Sequence, residues 1–190
     1  NSIYMYILMV FVVVMSARLS AKLLGDTSLA YFLNSSISRK KFMNSQIFVF
    51  NIELFLMMVC SVVSVLIGKL FLSESVFELS SFLKINIELF ALFMLIGSLC
   101  FSISVFVNNE SQAVAYSATF VVLLYITDVF RKLVKSMKIL DYCTLFTVYD
   151  TEKICNNTTY FVVSSVVMIV SAISIYAGSI YYFNKRDLYL

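Results

Sequence analysis

ARLSAKLLGDTSLAYFLNSSISRKKFMNSQ, residues 17–46, is the longest polar-containing break in a chain otherwise built from apolar runs. The runs on either side are too long for the core of a soluble domain. The break carries Arg18, Lys22, Arg39, Lys40 and Lys41, five of the fourteen basic residues. It reads as a cytoplasmic segment between two membrane spans.

Composition supports that reading. Of the 190 residues, 61% are hydrophobic and 13% are charged, with a mean hydropathy of +0.94. Soluble domains carry about 25% charged residues, and so short a chain keeps too much surface to hide this apolar excess by folding it inward. Lipid is therefore the expected solvent. The chain has no His, Trp or Pro. Without His it lacks the commonest metal ligand and proton shuttle. Without Pro its apolar runs can continue as unbroken helices.

A helix needs about 20 apolar residues to cross the hydrocarbon layer. Five runs approach or exceed that length: residues 3–17, which is slightly short, 47–72, 85–107, 113–130 and 160–183. Lipid cannot satisfy backbone polar groups, so all five are predicted helical. The fold class is an all-α, polytopic integral-membrane bundle in one transmembrane domain. The chain opens at Asn1 inside apolar sequence, and further residues are expected upstream.

The connections alternate between two sides. One side receives residues 17–46, the turn 108–112 and the tail 184–190. The other receives residues 73–84 and the loop 131–159. Lys and Arg are normally enriched on the cytoplasmic side. Here the count is level: Arg18, Lys22, Arg39, Lys40, Lys41, Lys185 and Arg186 against Lys69, Lys84, Arg131, Lys132, Lys135, Lys138 and Lys153. Charge alone does not orient the chain.

Three segments could carry function. In residues 17–46, Leu19, Leu23, Leu24, Leu29 and Phe32 have partly helical spacing, and Asp26 or Thr27 after Gly25 could cap a second short helix. The segment reads either as a basic loop at the headgroups or as a helix that docks into a partner. In residues 131–145, Leu133, Val134, Met137, Leu140 and Leu145 oppose Arg131, Lys132, Lys135 and Lys138. That pattern fits an interfacial helix, or a loop whose lysines meet lipid phosphates. In the second span, Asn51 and Glu53 form an intramembrane polar site. Glu53 either lines an internal surface or pairs near the headgroups with Arg39 or Lys41. Glu88 and Asp128 fall nearer span ends.

Cys60 and Cys100 lie inside apolar runs, as small hydrophobes. Cys143 and Cys155 share one loop and could pair only if their Cα atoms come within about 7 Å. No phosphate-binding loop, nucleophile elbow or metal-binding motif occurs. No catalytic residue, metal or nucleic-acid partner is expected.

Two motifs resemble the permease subunit of a type 2 ABC exporter. The first runs from Gly25, Asp26 and Thr27 through Ser28, Leu29 and Phe32 to Leu33, Ile37, Ser38 and Arg39. It is similar to the family's glycine-led helix followed by Leu-x-x-Pro-Ile-Ser-Arg before a span. Ser36 stands in place of that Pro, and the glutamate often found ahead of the glycine is missing. The second motif comprises Phe183, Arg186, Asp187 and Leu188, like the family's Phe-x-x-Arg-Asp-Leu tail.

The resemblance implies six spans with both termini in the cytoplasm, of which five are visible here. It places residues 18–46 as the ATPase-coupling segment and 131–159 as an outer loop that dips back toward the membrane. It also implies a separate ABC ATPase subunit that holds ATP and Mg, a second permease copy, and a cargo path between the two permeases. The chain itself would need no cofactor. The expected cargo is apolar or amphipathic: a peptide, toxin, lipid-like molecule or drug. A Lys-, Asn-, Ile- and Phe-bearing chain without Pro fits a bacterial plasma membrane. The alternative is an accessory or immunity membrane protein not coupled to ATP. An ion-coupled carrier is disfavoured because candidate coupling residues are few.

Overall fold

The computed structural model describes residues 2–25, 38–71, 79–107, 109–133 and 145–185. Among these residues there is no strand. The helices are α1 (Ser2–Gly25), α2 (Arg39–Phe71), α3 (Leu79–Phe106), α4 (Glu110–Leu133), α5 (Thr151–Asn156) and α6 (Thr158–Lys185), with a 3₁₀ turn at Leu145–Thr147. The all-helical class agrees with the sequence reading. Four helices are long and apolar enough to cross a membrane: Lys40–Gly68, Leu79–Phe106, Glu110–Phe130 and Thr158–Lys185. The first predicted span lies in α1, where the apolar stretch Ile7–Leu19 is shorter.

Polar residues at the helix entrances explain where several helices begin. A side-chain oxygen just before a helix can accept one of the first-turn N–H groups, which have no partner inside the helix. Ser38 Oγ accepts from Lys41 N–H at 3.4 Å before α2. Asn109 Oδ1 accepts from Ser111 N–H at 3.0 Å before α4. Asp150 Oδ1 accepts from Lys153 N–H at 3.4 Å before α5. Asn157 Oδ1 accepts from the N–H groups of Thr159 and Tyr160 at 3.0 and 3.1 Å before α6.

Helix bounds differ from those predicted. α1 continues past residue 17 to Gly25, and α2 begins at Arg39 instead of 47. Both ends of the polar break are thus helical. At 33 residues, α2 is about 50 Å long, against a hydrocarbon layer of about 30 Å. The surplus carries its polar first turns beyond the apolar zone. α3 likewise starts at Leu79, six residues before the predicted 85. α4 ends at Leu133, so most of the predicted amphipathic segment 131–145 lies outside the described residues.

The bundle is built around α3, which touches all five other helices. Within its apolar window 67% of residues are buried, against 17% for α2, 22% for α4 and 28% for α6. The other helices turn large apolar side chains outward, among them Phe48, Phe55 and Leu56 on α2, Leu123 on α4 and Val167 on α6. A continuous apolar exterior of this kind suits lipid and not water. It suggests a membrane protein.

Small residues let α6 approach α3 most extensively. The α6 face buries Ser165, Met168, Ala172, Tyr176, Ser179 and Phe183, at steps of three or four. This spacing matches the seam of left-handed helix pairs. Phe101 meets Tyr176 edge-on, with ring centroids 5.7 Å apart and an interplanar angle of 75°. α1 buries Met9, Val12, Val13, Ser16 and Ala17 along one stripe and packs on α3 and α4.

α2 meets α3 at Phe50, whose buried ring lies against Gly97. A Cβ at position 97 would collide with that ring. Gly97→Val is therefore expected to destabilise the bundle by about 1–3 kcal/mol through overpacking. Phe50→Leu in the same chain should restore part of the loss. Thermal unfolding in detergent measures both.

Candidate intramembrane polar site

Each polar group buried at membrane depth needs a partner, and the serines mostly find one in their own helix. Ser98 and Ser104 donate to the carbonyls of Leu95 and Phe101, at 2.7 and 2.8 Å. Ser164 donates to Tyr160 and Ser179 to Ile175, at 2.8 and 2.9 Å. Such bonds use the hydroxyl proton within the helix.

Three contacts instead join helices, one of them Ser117 on α4 donating to the Cys100 carbonyl on α3 at 3.4 Å. Ser61 on α2 donates to Asn86 Oδ1 on α3 at 3.4 Å, while Asn86 Nδ2 donates to the Phe82 carbonyl at 2.9 Å. Ser165 on α6 donates to Glu88 Oε2 on α3. Glu88 is fully buried, and its other oxygen, Oε1, has no hydrogen-bond partner among the described residues. It lies nine residues into α3, about 14 Å along the axis. Because α3 starts earlier than predicted, Glu88 sits well inside the bundle and not near a span end. The apolar run beginning at residue 85 concealed this: the preceding turn, with Ser80, Ser81 and Lys84, reads as loop.

Within residues 145–156, the short helix α5 packs on the helices that carry this carboxylate and its serine, α3 and α6. Phe146 and Ile154 are buried. The Tyr160 hydroxyl pins the segment by donating to the Val148 carbonyl at 2.9 Å. Burial pushes the Tyr149 phenol up to about 12, and the negative charges of Glu88 and Cys155 push in the same direction. Tyr149 therefore lies within the field of Glu88. At the rim, Lys153 Nζ pairs with Asp150 at 3.2 Å and sits 5.9 Å from the Tyr160 ring centroid. Cys155 is a free thiol, and Cys143 falls outside the described residues.

The predicted pair Asn51 and Glu53 lies on α2. Both are half-buried. Asn51 Nδ2 donates to the Ile47 carbonyl at 2.7 Å. Glu53 Oε2 is buried without a partner among the described residues, as is the Tyr176 hydroxyl. Pairing of Glu53 with Lys41 does not fit the helix: twelve residues separate them, or about 18 Å, and Lys41 is exposed. Asp128 on α4 is buried as well.

Of the predicted coupling residues, Gly25 ends α1, Ser38 caps α2 and Arg39 begins it. Asp26, Thr27, Ser28, Leu29, Phe32, Leu33 and Ile37 lie outside the described residues. Beside the α2 entrance, Ser38, Lys40, Lys41, Asn44, Ser45 and Phe48 line an open cleft of about 570 Å³. Nearby in sequence, Arg18 Nε on α1 pairs with Glu110 Oε1 on α4 at 3.2 Å, both partly exposed. A second cleft of about 330 Å³, between α2 and α3, is apolar except for Asn86. Among the described residues no group of three His, Cys, Asp or Glu could hold a metal. No protein-family model, curated protein or solved structure matches this chain.

The raised Tyr149 value gives a pH expectation. Its folded pKa lies above the ordinary value of 10, so its share of stability is whole below pH 10. That share is lost as the pH climbs through about 12. A phenolate absorbance titration of wild type minus Tyr149→Phe should show this one tyrosine ionising late. A difference curve centred near 10 would contradict the buried placement.

Proposed function

We propose that this chain is the transmembrane permease subunit of an ATP-driven exporter of the type 2 ABC class, moving an apolar or amphipathic cargo. One observation carries most of the weight. The basic break at residues 18–46 is flanked by helices that extend into it from both sides, α1 to Gly25 and α2 from Arg39. A segment held between two rigid helices that reach past the apolar zone is suited to transmit force. The motifs at Gly25 to Arg39 and at Phe183 to Leu188 support the same reading. So do the tight link between α3 and α4 and the loop that folds back at residues 145–156.

In this reading α1 is a fifth span, because its buried stripe packs on α3 and α4 as the longer helices do. The polar break faces the cytoplasm of a bacterial cell and meets a separate ATPase subunit. A second permease copy completes the cargo path. Closure of the ATPases on ATP pushes the break. α3, wedged among the other helices, then carries the bundle as one body so that the path opens outward. The chain makes and breaks no bonds itself.

Purification of the full-length protein from its native membrane in mild detergent tests this proposal. A stoichiometric ATPase should copurify. Charge reversal at Arg39, Lys40 and Lys41, or proline substitutions within residues 28–33, should abolish ATPase association or stimulation while leaving membrane insertion intact. Repeated isolation of intact protein without an ATPase would favour the accessory or immunity reading. Orientation has its own check. A membrane-impermeant thiol reagent applied to intact cells should fail to label a cysteine placed at Ser35, and labelling there would invert the proposed topology.

A further inference from the structure

We propose that the entrance of α2 and the apolar cleft below it form one binding site for an anionic phospholipid. The headgroup meets Lys40 and Lys41, and an acyl chain runs down α2 into the cleft between α2 and α3. This inference stands apart from the permease reading, since it requires only that α2 crosses a bilayer.

The first support is the open cleft at the entrance. It measures about 570 Å³, and Lys40, Lys41, Asn44, Ser45 and Phe48 are among its lining residues. All five are exposed. Neither lysine forms an ion pair among the described residues. Lysines beside a membrane surface attract anionic lipid. The ammonium groups suit a phosphate, and the neighbouring amide and hydroxyl can serve the ester and glycerol oxygens of a headgroup.

The second support is continuity between the charges and an apolar track. Lys41, Ser45, Phe48, Ile52, Phe55 and Val59 follow one another at steps of three or four. They therefore lie within about 40° of one line down the helix. The four apolar members are all exposed. Glu53, the one carboxylate of α2, stands about 140° around the helix from Phe48. Cations above and bare hydrocarbon below are complementary to an amphiphile with an anionic head.

The third support is where the track leads. Ten residues separate Ser45 from Phe55, about 15 Å of rise, or one leaflet of a hydrocarbon layer about 30 Å thick. At that depth the track opens into the cleft of about 330 Å³ lined by Phe55, Met58, Val59, Leu83, Ile87 and Phe90. Asn86 also lines it, but its Oδ1 accepts from Ser61 and its Nδ2 donates to the Phe82 carbonyl. With that amide engaged inside the protein, the cleft calls for hydrocarbon. A second copy of the chain fits less well. Meeting through this same face about a two-fold axis, it would set Lys40 and Lys41 against their own equivalents.

The chain has no tryptophan, so Phe55→Trp gives the full-length protein a single reporter at the mouth of the apolar cleft. The variant is reconstituted in phosphatidylcholine vesicles in which a fixed fraction of the lipid carries brominated, quenching chains. That fraction is either phosphatidylglycerol or phosphatidylcholine. Quenching should show phosphatidylglycerol binding beside the reporter about tenfold more tightly. Lys40→Gln combined with Lys41→Gln should bring the preference to near unity, and Lys40→Arg with Lys41→Arg should keep it. Excess soluble glycerol phosphate should leave it unchanged. Val167→Trp, on the outward face of α6, should show no preference. The proposal is overturned by equal quenching from the two lipids at position 55, by the same preference at position 167, or by a preference that survives loss of both lysines. It is equally overturned by glycerol phosphate abolishing the preference, which would mark a site for a free anion. Quenching by neither lipid would mark a face covered by a second copy and also overturn it. Should Phe55→Trp fail to accumulate folded, Ile52→Trp reads the same track and decides by the same outcomes.

Discussion

Everything in this bundle leans on the burial of α3. Its neighbours each hide one stripe and give the remainder to the outside, whereas α3 hides two thirds of its apolar window. A helix packed by several neighbours cannot use bulk everywhere, and Ala91, Gly97, Ser98 and Ser104 are interspersed with Phe93, Ile96 and Phe101 among its buried residues. Where a large ring must enter, as with Phe50 of α2, glycine stands opposite. Lipid offers no hydrophobic preference for helix–helix contact, and close packing of this kind is what remains to hold the helices together.

The same burial governs the polar groups. Hydroxyls that bond their own carbonyls cost little in an apolar surrounding. Asn86 and Glu88 instead reach other helices, and they tie α3 to α2 and α6. Glu88 Oε1 is left unsatisfied among the described residues, as are Glu53 Oε2 and the Tyr176 hydroxyl.

Much of the architecture was legible in the amino-acid order. Runs of apolar residues without Pro marked four of the helices that are long enough to span. The caps Ser38, Asn109, Asp150 and Asn157 became recognisable only with the helix starts themselves. The bounds were less legible, because hydropathy reports where lipid ends and not where a helix ends. Residues 18–25 and 39–46 are polar enough to read as loop yet continue α1 and α2. Glu88 was placed too near a span end for the same reason. Which face of α3 is buried could not be read from periodicity, since exposed positions such as Leu83, Ile87 and Phe106 are as apolar as the buried ones. Glu53, by contrast, stood out because a charge in an apolar run is conspicuous, whatever surrounds it.

An enclosed central helix makes a demanding claim about lipid contact. Native membrane vesicles treated with a lipid-soluble photoreactive diazirine, followed by residue-level mass spectrometry, address it directly. The account predicts labelling at outward positions such as Val59, Leu123 and Val167, with residues 92–101 of α3 spared. Labelling along α3 as dense as along α2 would contradict the arrangement of helices on which the remainder rests.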